Sequence, residues 1–286
     1  MGLRIETWNI AYRKKADTSF RNTEIPFTVI PNGHRGWYAD PFLFDYKDET
    51  YLFAEYFSYK LGKGVISVSK YDTEKDKFTD FSEIIKEDYH LSYPVVFSYN
   101  NQIYMMPECG ESNNLFFYRA LDFPNKWEKI SVIDKKMRLA DTTPFQVGED
   151  LFALALKQKA DSADGALVLM KYDGAVFQPM KTITKDMSVA RPGGNMIISR
   201  DSIIRVAQNC EGDYGRELSF ISVKNLVSDY QEKVVSKLTP NDISLNNSKT
   251  PAGIHTYNSS NLLEVVDLKY YHNSWYRLFL KLLHKG

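Results

Sequence analysis

Two glutamates of this 286-residue chain recur at a fixed distance behind a proline. Glu55 follows Pro41 by 14 positions, and Glu108 follows Pro94 by 14 positions. A further carboxylate, Asp40, directly precedes the first proline. Carboxylates gathered in one site can bind hydroxyl groups and can serve as general acid and general base. The spacing therefore predicts that the fold brings these acids together.

Each proline opens a pattern typical of a β-hairpin. Behind Pro41 an apolar run (42–44) is followed by a polar turn (45–50) and a second apolar run (51–53) before Glu55. The segment behind Pro94 has the same order and ends in Glu108. Short apolar runs separated by turn-forming residues indicate antiparallel strands. Two hairpins of equal register thus place their carboxylates equivalently.

The hairpin pattern repeats along the chain. Pro144 and Pro192 continue the series, so that the four prolines are separated by 53, 50 and 48 residues, and a fifth start is found at 253–258. A period of about 50 residues with four short strands per unit is typical of a β-propeller. We therefore predict an all-β, five-bladed β-propeller that forms one domain over residues 1–272. The predicted blades start near residues 39, 92, 142, 190 and 253.

The two ends of the chain have patterns of their own. Residues 3–10 alternate apolar and polar side chains, which predicts a strand that closes the ring by completing the last blade. Residues 273–286 place Trp275, Leu278 and Leu282 at helical spacing and predict a short C-terminal amphipathic helix with a basic side. This helix either packs on the propeller or contacts a membrane surface or a partner.

Composition narrows the function classes. Thirty-six basic and 36 acidic residues cancel, so the chain lacks the basic excess typical of nucleic-acid binding. Two cysteines exclude a disulfide framework, and no zinc-ligand spacing occurs. No cofactor is expected, with a calcium ion near His255 as the less favoured alternative. The first thirty residues are charged throughout and contain no signal-peptide pattern, which predicts a cytoplasmic protein. A membrane-peripheral location through 274–286 is the alternative.

Residues beside the repeated blade starts should meet near the propeller axis. Carboxylates, planar hydrogen-bond donors and aromatic rings together suit a sugar, because the carboxylates bind hydroxyls and the rings stack on C–H faces. Hydrophilic lining of a wet channel and a site for another polar small molecule are the alternatives. The predicted catalytic residues are Asp40, Glu108 and Asp141. The predicted substrate-binding residues are Trp37, Glu55, Tyr93, Arg191, Arg205, Gln208, Asn209, Tyr214, His255 and Asn258.

Several motifs, taken together, resemble the N-terminal domain family of the plant glucosamine inositolphosphorylceramide transferases and its free-standing bacterial relatives. They are Trp-Tyr-Ala-Asp-Pro-Phe-Leu-Phe (37–44), Leu-Phe-Ala-Glu (52–55), His-Leu-Ser-Tyr-Pro-Val-Val-Phe (90–97), Tyr-Met-Met-Pro-Glu (104–108), Ala-Arg-Pro-Gly-Gly (190–194), Arg-Val-Ala-Gln-Asn-Cys (205–210), Tyr-Gly (214–215) and His-Thr-Tyr-Asn (255–258). That domain is similar to the five-bladed propellers of glycoside hydrolase family 43.

The resemblance implies roles for three residues. Asp40 matches the general base of an Ala-Asp-Pro-like motif, while Glu108 and Asp141 are candidates for the acid and for the residue that tunes it. The pattern departs at Tyr93, because the hydrolases often have an Asp-Pro pair in blade two. The sequence contains no counterpart of the separate glycosyltransferase domain of the plant proteins. The resemblance therefore does not imply the transferase activity of that domain.

Two functions follow from these features. In the first, the protein is a glycosidase-like or glycosyl-transferring enzyme that acts on a glycan or glycolipid precursor in surface polysaccharide or glycolipid synthesis. In the second, it is a non-catalytic glycan-binding or scaffold module of such a pathway. The expected substrate is a carbohydrate or glycolipid in both cases.

Overall fold

The structure is a computed structural model that describes residues 3–16, 25–132, 137–159, 164–200, 202–226, 228–246 and 249–274. These residues form 22 strands, two short 3-10 turns (Gly110–Ser112 and Pro240–Asp242) and no α-helix. The strands make five antiparallel sheets arranged as the blades of a propeller. The predicted all-β, five-bladed β-propeller is therefore confirmed.

The strands follow one another in blade order. Blade five contains the first two strands, β1 (Leu3–Lys14) and β2 (Thr28–Val29). Blade one consists of β3 (Gly36–Tyr46), β4 (Glu49–Ser58), β5 (Lys63–Asp72), β6 (Lys77–Phe78) and β7 (Ser82–Ile85). Blade two consists of β8 (Ser92–Tyr99), β9 (Gln102–Glu108), β10 (Phe116–Asp122) and β11 (Lys126–Ser131). Blade three consists of β12 (Leu139–Val147), β13 (Asp150–Gln158), β14 (Gly165–Tyr172) and β15 (Phe177–Thr184). Blade four consists of β16 (Arg191–Pro192), β17 (Ile197–Ile198), β18 (Ile203–Asn209), β19 (Glu217–Lys224) and β20 (Gln231–Leu238). Blade five is completed by β21 (Tyr257–Ser259) and β22 (Leu263–Ser274).

The ring is closed by the first strand of the chain. β1 pairs antiparallel with β22 over its full length, and the sheet order is β2-β1-β22-β21. Residues 3–10 lie within this longer strand, and residues 273–274, the first two of the predicted helix, belong to the end of β22. The remainder of the predicted helix, 275–286, lies outside the described residues. Among the residues described, no helix is both long and apolar enough to cross a membrane.

A β-bulge is the feature that repeats in the innermost strands. The register skips two residues after Ala39 in β3, after Ser92 in β8 and after Ala140 in β12. The first skipped residue is Asp40, Tyr93 or Asp141, and each has a φ of 49–51°. Such left-handed backbone is uncommon for residues other than glycine and needs compensating contacts.

The bulge also corrects the alignment of the third repeat. Pro41 and Pro94 directly follow their left-handed residues, whereas Thr142 takes this place in blade three and Pro144 lies two residues further on. The repeated unit is therefore the bulge and not the proline. The reason is geometric: the left-handed residue directs its backbone N–H to a carboxylate of the preceding blade, whatever residue follows it.

The hydrophobic core is divided into five clusters, one between each pair of neighbouring blades. Ile10 of blade five, for example, packs in one cluster with Leu43 and Leu52 of blade one. Equivalent clusters join blades one and two, two and three, three and four, and four and five. Apolar burial between sheets thus holds the ring, and the polar residues are concentrated near the axis.

Candidate functional site

Side-chain oxygens bind the backbone N–H groups of the bulges. The N–H of Asp40 donates to Asp267 Oδ2 at 3.0 Å, and the N–H of Tyr93 donates to Asp40 Oδ2 at 3.0 Å. These two bonds run from blade one to blade five and from blade two to blade one. Charge-assisted bonds of this kind compensate the strained backbone and join neighbouring blades.

The same arrangement continues in blades two to four. The N–H of Asp141 donates to Glu108 Oε2 at 3.0 Å. The carboxylate of Asp141 accepts hydrogen bonds from Arg191 Nε at 2.5 Å and from Gln208 Nε2 at 2.7 Å. A second nitrogen of the same guanidinium lies 3.6 Å from Glu108 Oε2. One cation is therefore placed between two acids, and it is in closer contact with Asp141.

His255 lies between two buried carboxylates. Its Nδ1 is 2.5 Å from Asp267 Oδ2, and its Nε2 is 3.5 Å from Asp40 Oδ1. Burial opposes the charged imidazolium, but Asp267 and Asp40 outweigh it and raise the pKa of His255. The imidazole ring also stacks on Trp8 with 3.9 Å between ring centroids.

Asp40 has an unusual environment for an aspartate. Its side chain is almost fully buried, and burial raises its pKa to about 6 although His255 and the hydroxyl of Thr256 act in the opposite direction. The carboxylate accepts the Thr256 hydroxyl at 2.8 Å in addition to the N–H of Tyr93. At neutral pH this carboxyl group is therefore mostly ionised, but it is a stronger base than an exposed aspartate.

Glu108 differs from Asp40 in its exposure and in the charged groups around it. Its side chain retains 19% of its exposure, compared with 6% for Asp40. Burial of the carboxyl group and the negative charge of Asp141 raise the pKa of Glu108 well above its ordinary value, against the opposing effect of Arg191. Burial and the neighbouring acid therefore favour the protonated form of Glu108.

Glu55 is a second buried acid in this cluster. Its Oε1 is 3.3 Å from His90 Nε2, but the contact lacks hydrogen-bond geometry, and this oxygen has no hydrogen-bond partner among the described residues. Burial, followed by Asp40 and Glu108, raises the pKa of Glu55 well above its ordinary value, while burial lowers the pKa of His90. Both shifts favour the neutral forms of the pair, and in its protonated form Glu55 has an O–H to donate.

Tyr214 covers one side of the cluster. The guanidinium of Arg191 lies 5.0 Å from the centre of the tyrosine ring, and the ring meets His255 edge-on at 5.1 Å. The buried ammonium of Lys269 donates to Asp213 Oδ2 at 2.9 Å and to the carbonyl of Tyr214, so it fixes the loop that contains this ring. A cavity of about 350 Å³, lined by Arg191, Tyr214 and neighbouring residues, adjoins the ring.

Some predicted substrate contacts have structural partners instead. The buried Tyr93 hydroxyl is bonded to Thr143 and to the N–H of Gly194. Asn258 bridges the carbonyl of Pro41 and the N–H of Asn195. The polar groups of these two side chains therefore connect blades.

Arg205 and Asn209 also lie apart from the carboxylate cluster. Arg205 makes a two-pronged ion pair with Glu232 and donates to the carbonyl of Val189. Asn209 donates to Glu217 and accepts the N–H of Glu211, which shapes the loop after β18. Sequence alone places these residues in blade four but does not say to which side their side chains point.

The remaining predicted residues take three positions. Asp40, Glu55, Glu108, Asp141, Arg191 and His255 belong to the axial cluster, and Gln208 joins it through Asp141. Tyr214 covers one side. Trp37 stacks on Phe57 with 4.8 Å between centroids, on the strand pair that leads away from Glu55.

Asp267 is the main residue that sequence reasoning missed. Its N–H donates to the carbonyl of Thr256, so it occupies in blade five the second-strand position of Glu55 and Glu108. The sequence signal that could have found it is a lone aspartate inside the apolar stretch 265–268 of β22. With Asp40 and His255 it forms a buried trio whose ligand atoms lie within 4.8 Å of one another. These three residues could hold the calcium ion considered in the sequence analysis. The ion would compete with the hydrogen bonds and ion pairs that the three side chains already make.

Comparison with known proteins identifies the chain's relatives. Residues 5–265 match the family model of glucosamine inositolphosphorylceramide transferase 1, N-terminal. The chain belongs to this family. The resemblance found in the sequence motifs is thereby confirmed. Among curated members, glucosamine inositolphosphorylceramide transferase 1 of Oryza sativa subsp. indica is 31% identical over 68% of this chain, and that of Arabidopsis thaliana is 30% identical over 76%.

The match covers only part of these plant proteins. The aligned region is 27% of the rice protein and 28% of the Arabidopsis protein, so this family member spans about a quarter of the length of its curated relatives.

Solved structures agree on the fold. The catalytic domain of a Coprinopsis cinerea GH62 α-L-arabinofuranosidase superposes with a TM-score of 0.61 at 9% identity, covering 91% of this chain and 97% of the other. A thermostable family-43 glycoside hydrolase gives 0.58 at 12% identity, covering 84% and 91%. At these identities the likeness concerns the propeller alone.

Proposed function

We propose that the axial cluster is a carbohydrate-active site, in which Asp40 is the general base and Glu108 the general acid of glycosyl hydrolysis or transfer. One observation supports this most. Two acids of one cluster have raised pKa values, with Asp40 at about 6 and Glu108 well above its usual range. Carboxyl groups tuned in this way can exchange protons near neutral pH, as acid–base chemistry requires.

Each residue of the axial cluster has its own role in this reaction. Glu108 donates its proton to the leaving oxygen as the glycosidic C–O bond breaks, and its partial exposure gives that oxygen access. Asp40 accepts the proton of the attacking water or hydroxyl as the new C–O bond forms at the same carbon. Asp141 keeps Glu108 protonated, and Arg191 balances the charge of Asp141. Glu55 offers its O–H to a sugar hydroxyl.

The substrate is proposed from the relatives. Their name describes transfer to an inositolphosphorylceramide, a glycolipid precursor. Because this chain corresponds to about a quarter of those proteins, the assignment of a glycan or glycolipid substrate to it is a proposal, as are a cytoplasmic location and membrane contact through 274–286. A calcium ion at the trio of Asp40, His255 and Asp267 stays the less favoured alternative to no cofactor.

A non-catalytic glycan-binding or scaffold module is the second candidate. It is favoured by the backbone contacts of the same acids, since Asp40 accepts the N–H of Tyr93 and Glu108 accepts the N–H of Asp141. Acids used in this way could be retained only to hold the bulges. The two candidates share a sugar-binding site and differ in turnover.

Replacing Tyr214 by leucine tests the shared sugar site. We expect Tyr214→Leu to weaken glycan binding by about 0.5–1.5 kcal/mol, because the ring can stack on a sugar and leucine cannot. The measurement is saturation-transfer NMR of the wild type against a glycan panel, followed by titration of the best binder. Tyr172→Leu, on blade three and away from the cluster, is the matched control. Equal loss in both variants, or no binding by the wild type, would contradict the proposal.

A further inference from the structure

A second cleft lies on blade one, apart from the axial cluster. It has a volume of about 480 Å³ and is formed by the segment before β3, the β4–β5 turn and the region around β7. Its lining includes three cations, one carboxylate and two tyrosines: Arg35, Lys60, Lys86, Glu83, Tyr56 and Tyr59. The cleft therefore combines excess positive charge with aromatic surface.

The three cations have no acidic partner. Arg35, Lys60 and Lys86 are all exposed, and none forms an ion pair within 4.0 Å among the described residues. Other lysines of this blade are paired, as Lys70 is with Glu49 and Lys75 with Asp72. The chain as a whole is neutral, so this local excess does not reflect a generally basic surface. Like charges facing one cavity repel one another, and an anion would relieve this repulsion.

A line of contacts connects the cleft with the axial cluster. One face of β4 carries Glu55 and Phe57, and Tyr59 continues this face just after the strand ends. Phe57 packs near His90, which in turn contacts Glu55. Tyr59 N–H donates to the carbonyl of Arg35, which fixes the cleft to the start of β3. Tyr59 lies four positions after Glu55, which corresponds to roughly 13 Å at about 3.3 Å per residue.

We propose that this cleft binds a phosphate group of the substrate whose sugar occupies the axial cluster. The guanidinium of Arg35 can bind two phosphate oxygens, and the ammonium groups of Lys60 and Lys86 supply point charges. Tyr59, 38% exposed, provides a flat surface beside them. The position of the cleft at one end of the aromatic line favours substrates in which an anionic group lies roughly 13 Å from the part bound at Glu55. This inference rests on the proposed function for the identity of the ligand, but its binding test does not require turnover.

The test uses inorganic phosphate as the probe and amide and side-chain NMR of the full chain as the readout. In the wild type, phosphate should shift the signals of Arg35, Lys60 and Lys86, and added salt should weaken binding because the charges are exposed. The triple variant Arg35→Gln, Lys60→Gln, Lys86→Gln should raise the apparent Kd about tenfold or more, since it removes all three positive charges that line the cleft. The matched control removes three exposed lysines elsewhere: Lys77→Gln, Lys185→Gln, Lys224→Gln.

Further arms identify the source of the phosphate and separate the two proposals. Flotation with phosphatidylcholine vesicles, with and without phosphatidylinositol, measures binding to a membrane headgroup, and inositol phosphate measures binding of the soluble group. The site is supported if the cleft triple variant, but not the control triple variant, loses binding to either of these two ligands. Asp40→Asn should leave phosphate binding unchanged, so failure of the axial chemistry would not remove it. Absence of phosphate-induced shifts at the three cations, or equal loss in the control triple variant, would overturn the inference.

Discussion

Asp40→Asn and Glu108→Gln should each reduce glycosyl turnover by roughly 10²–10⁴-fold while the protein still binds its glycan. Asparagine cannot accept the proton of the attacking group, and glutamine cannot donate one to the leaving oxygen. Both substitutions preserve shape, so the loss should appear in kcat more than in KM. The measurement is sugar release or transfer from a panel of oligosaccharides, aryl glycosides and glycosylated phospholipids.

The controls for these variants are acids on exposed strand positions. Asp150→Asn and Glu128→Gln make the same chemical changes outside the axial cluster, where the side chains are 53% and 46% exposed, and should leave turnover within about twofold of wild type. Thermal unfolding of each variant shows whether a lost backbone contact, and not lost chemistry, explains the effect. Persistent turnover in both axial variants would refute the acid–base assignment, and a wild type without turnover on any glycan it binds would favour the binding module.

The pH dependence of kcat/KM follows from the same assignment. Asp40 must be ionised, so activity should rise with pH through about 6, the pKa that burial gives this carboxyl. Glu108 must be protonated, so activity should fall again at the higher pH where its raised pKa is reached. In the pH profile of Asp40→Asn, the rise of kcat/KM on the acidic side should be absent.

The second large effect concerns ring closure. Arg13→Met should lower the free energy of unfolding by about 3–5 kcal/mol, because it leaves the carboxylate of Glu264 buried without its cation. Arg13 Nε lies 2.7 Å from Glu264 Oε2 where β1 pairs with β22, and the two side chains are 5% and 0% exposed. The measurement is urea unfolding.

An exposed pair on blade two is the control for ring closure. Arg119 and Glu128 are 40% and 46% exposed, so Arg119→Met should cost no more than about 1 kcal/mol. The double variant Arg13→Met, Glu264→Gln should recover part of the loss, since no uncompensated charge is left. If Arg13→Met and Arg119→Met lower the free energy of unfolding equally, the Arg13–Glu264 pair does not stabilise the closure.

Sequence predicted the architecture because the repeat is long and its strands are apolar. It could not identify the bulge, since a left-handed φ at Asp40, Tyr93 or Asp141 is set by tertiary contacts and not by residue type. For the same reason Pro144 was aligned in place of Thr142.

The site was predictable in part. Equivalent positions of a radial repeat face one centre, which is why Asp40, Glu55 and Glu108 were found. Asp267 was missed because no proline lies 14 positions before it, where residue 253 is a glycine. The structural bonds of Arg205 depend on which side of its blade the chain places it, and strand alternation alone does not fix this without a register.

Carboxyl-detected NMR of the full chain, titrated with pH, tests the central claim most directly because it needs no knowledge of the substrate. Asp40→Asn and Glu108→Gln assign the two signals by their disappearance. The account predicts that Asp40 titrates near pH 6 and that Glu108 keeps its proton to a clearly higher pH. Glu108 losing its proton at or below the pH at which Asp40 does would contradict the division into acid and base.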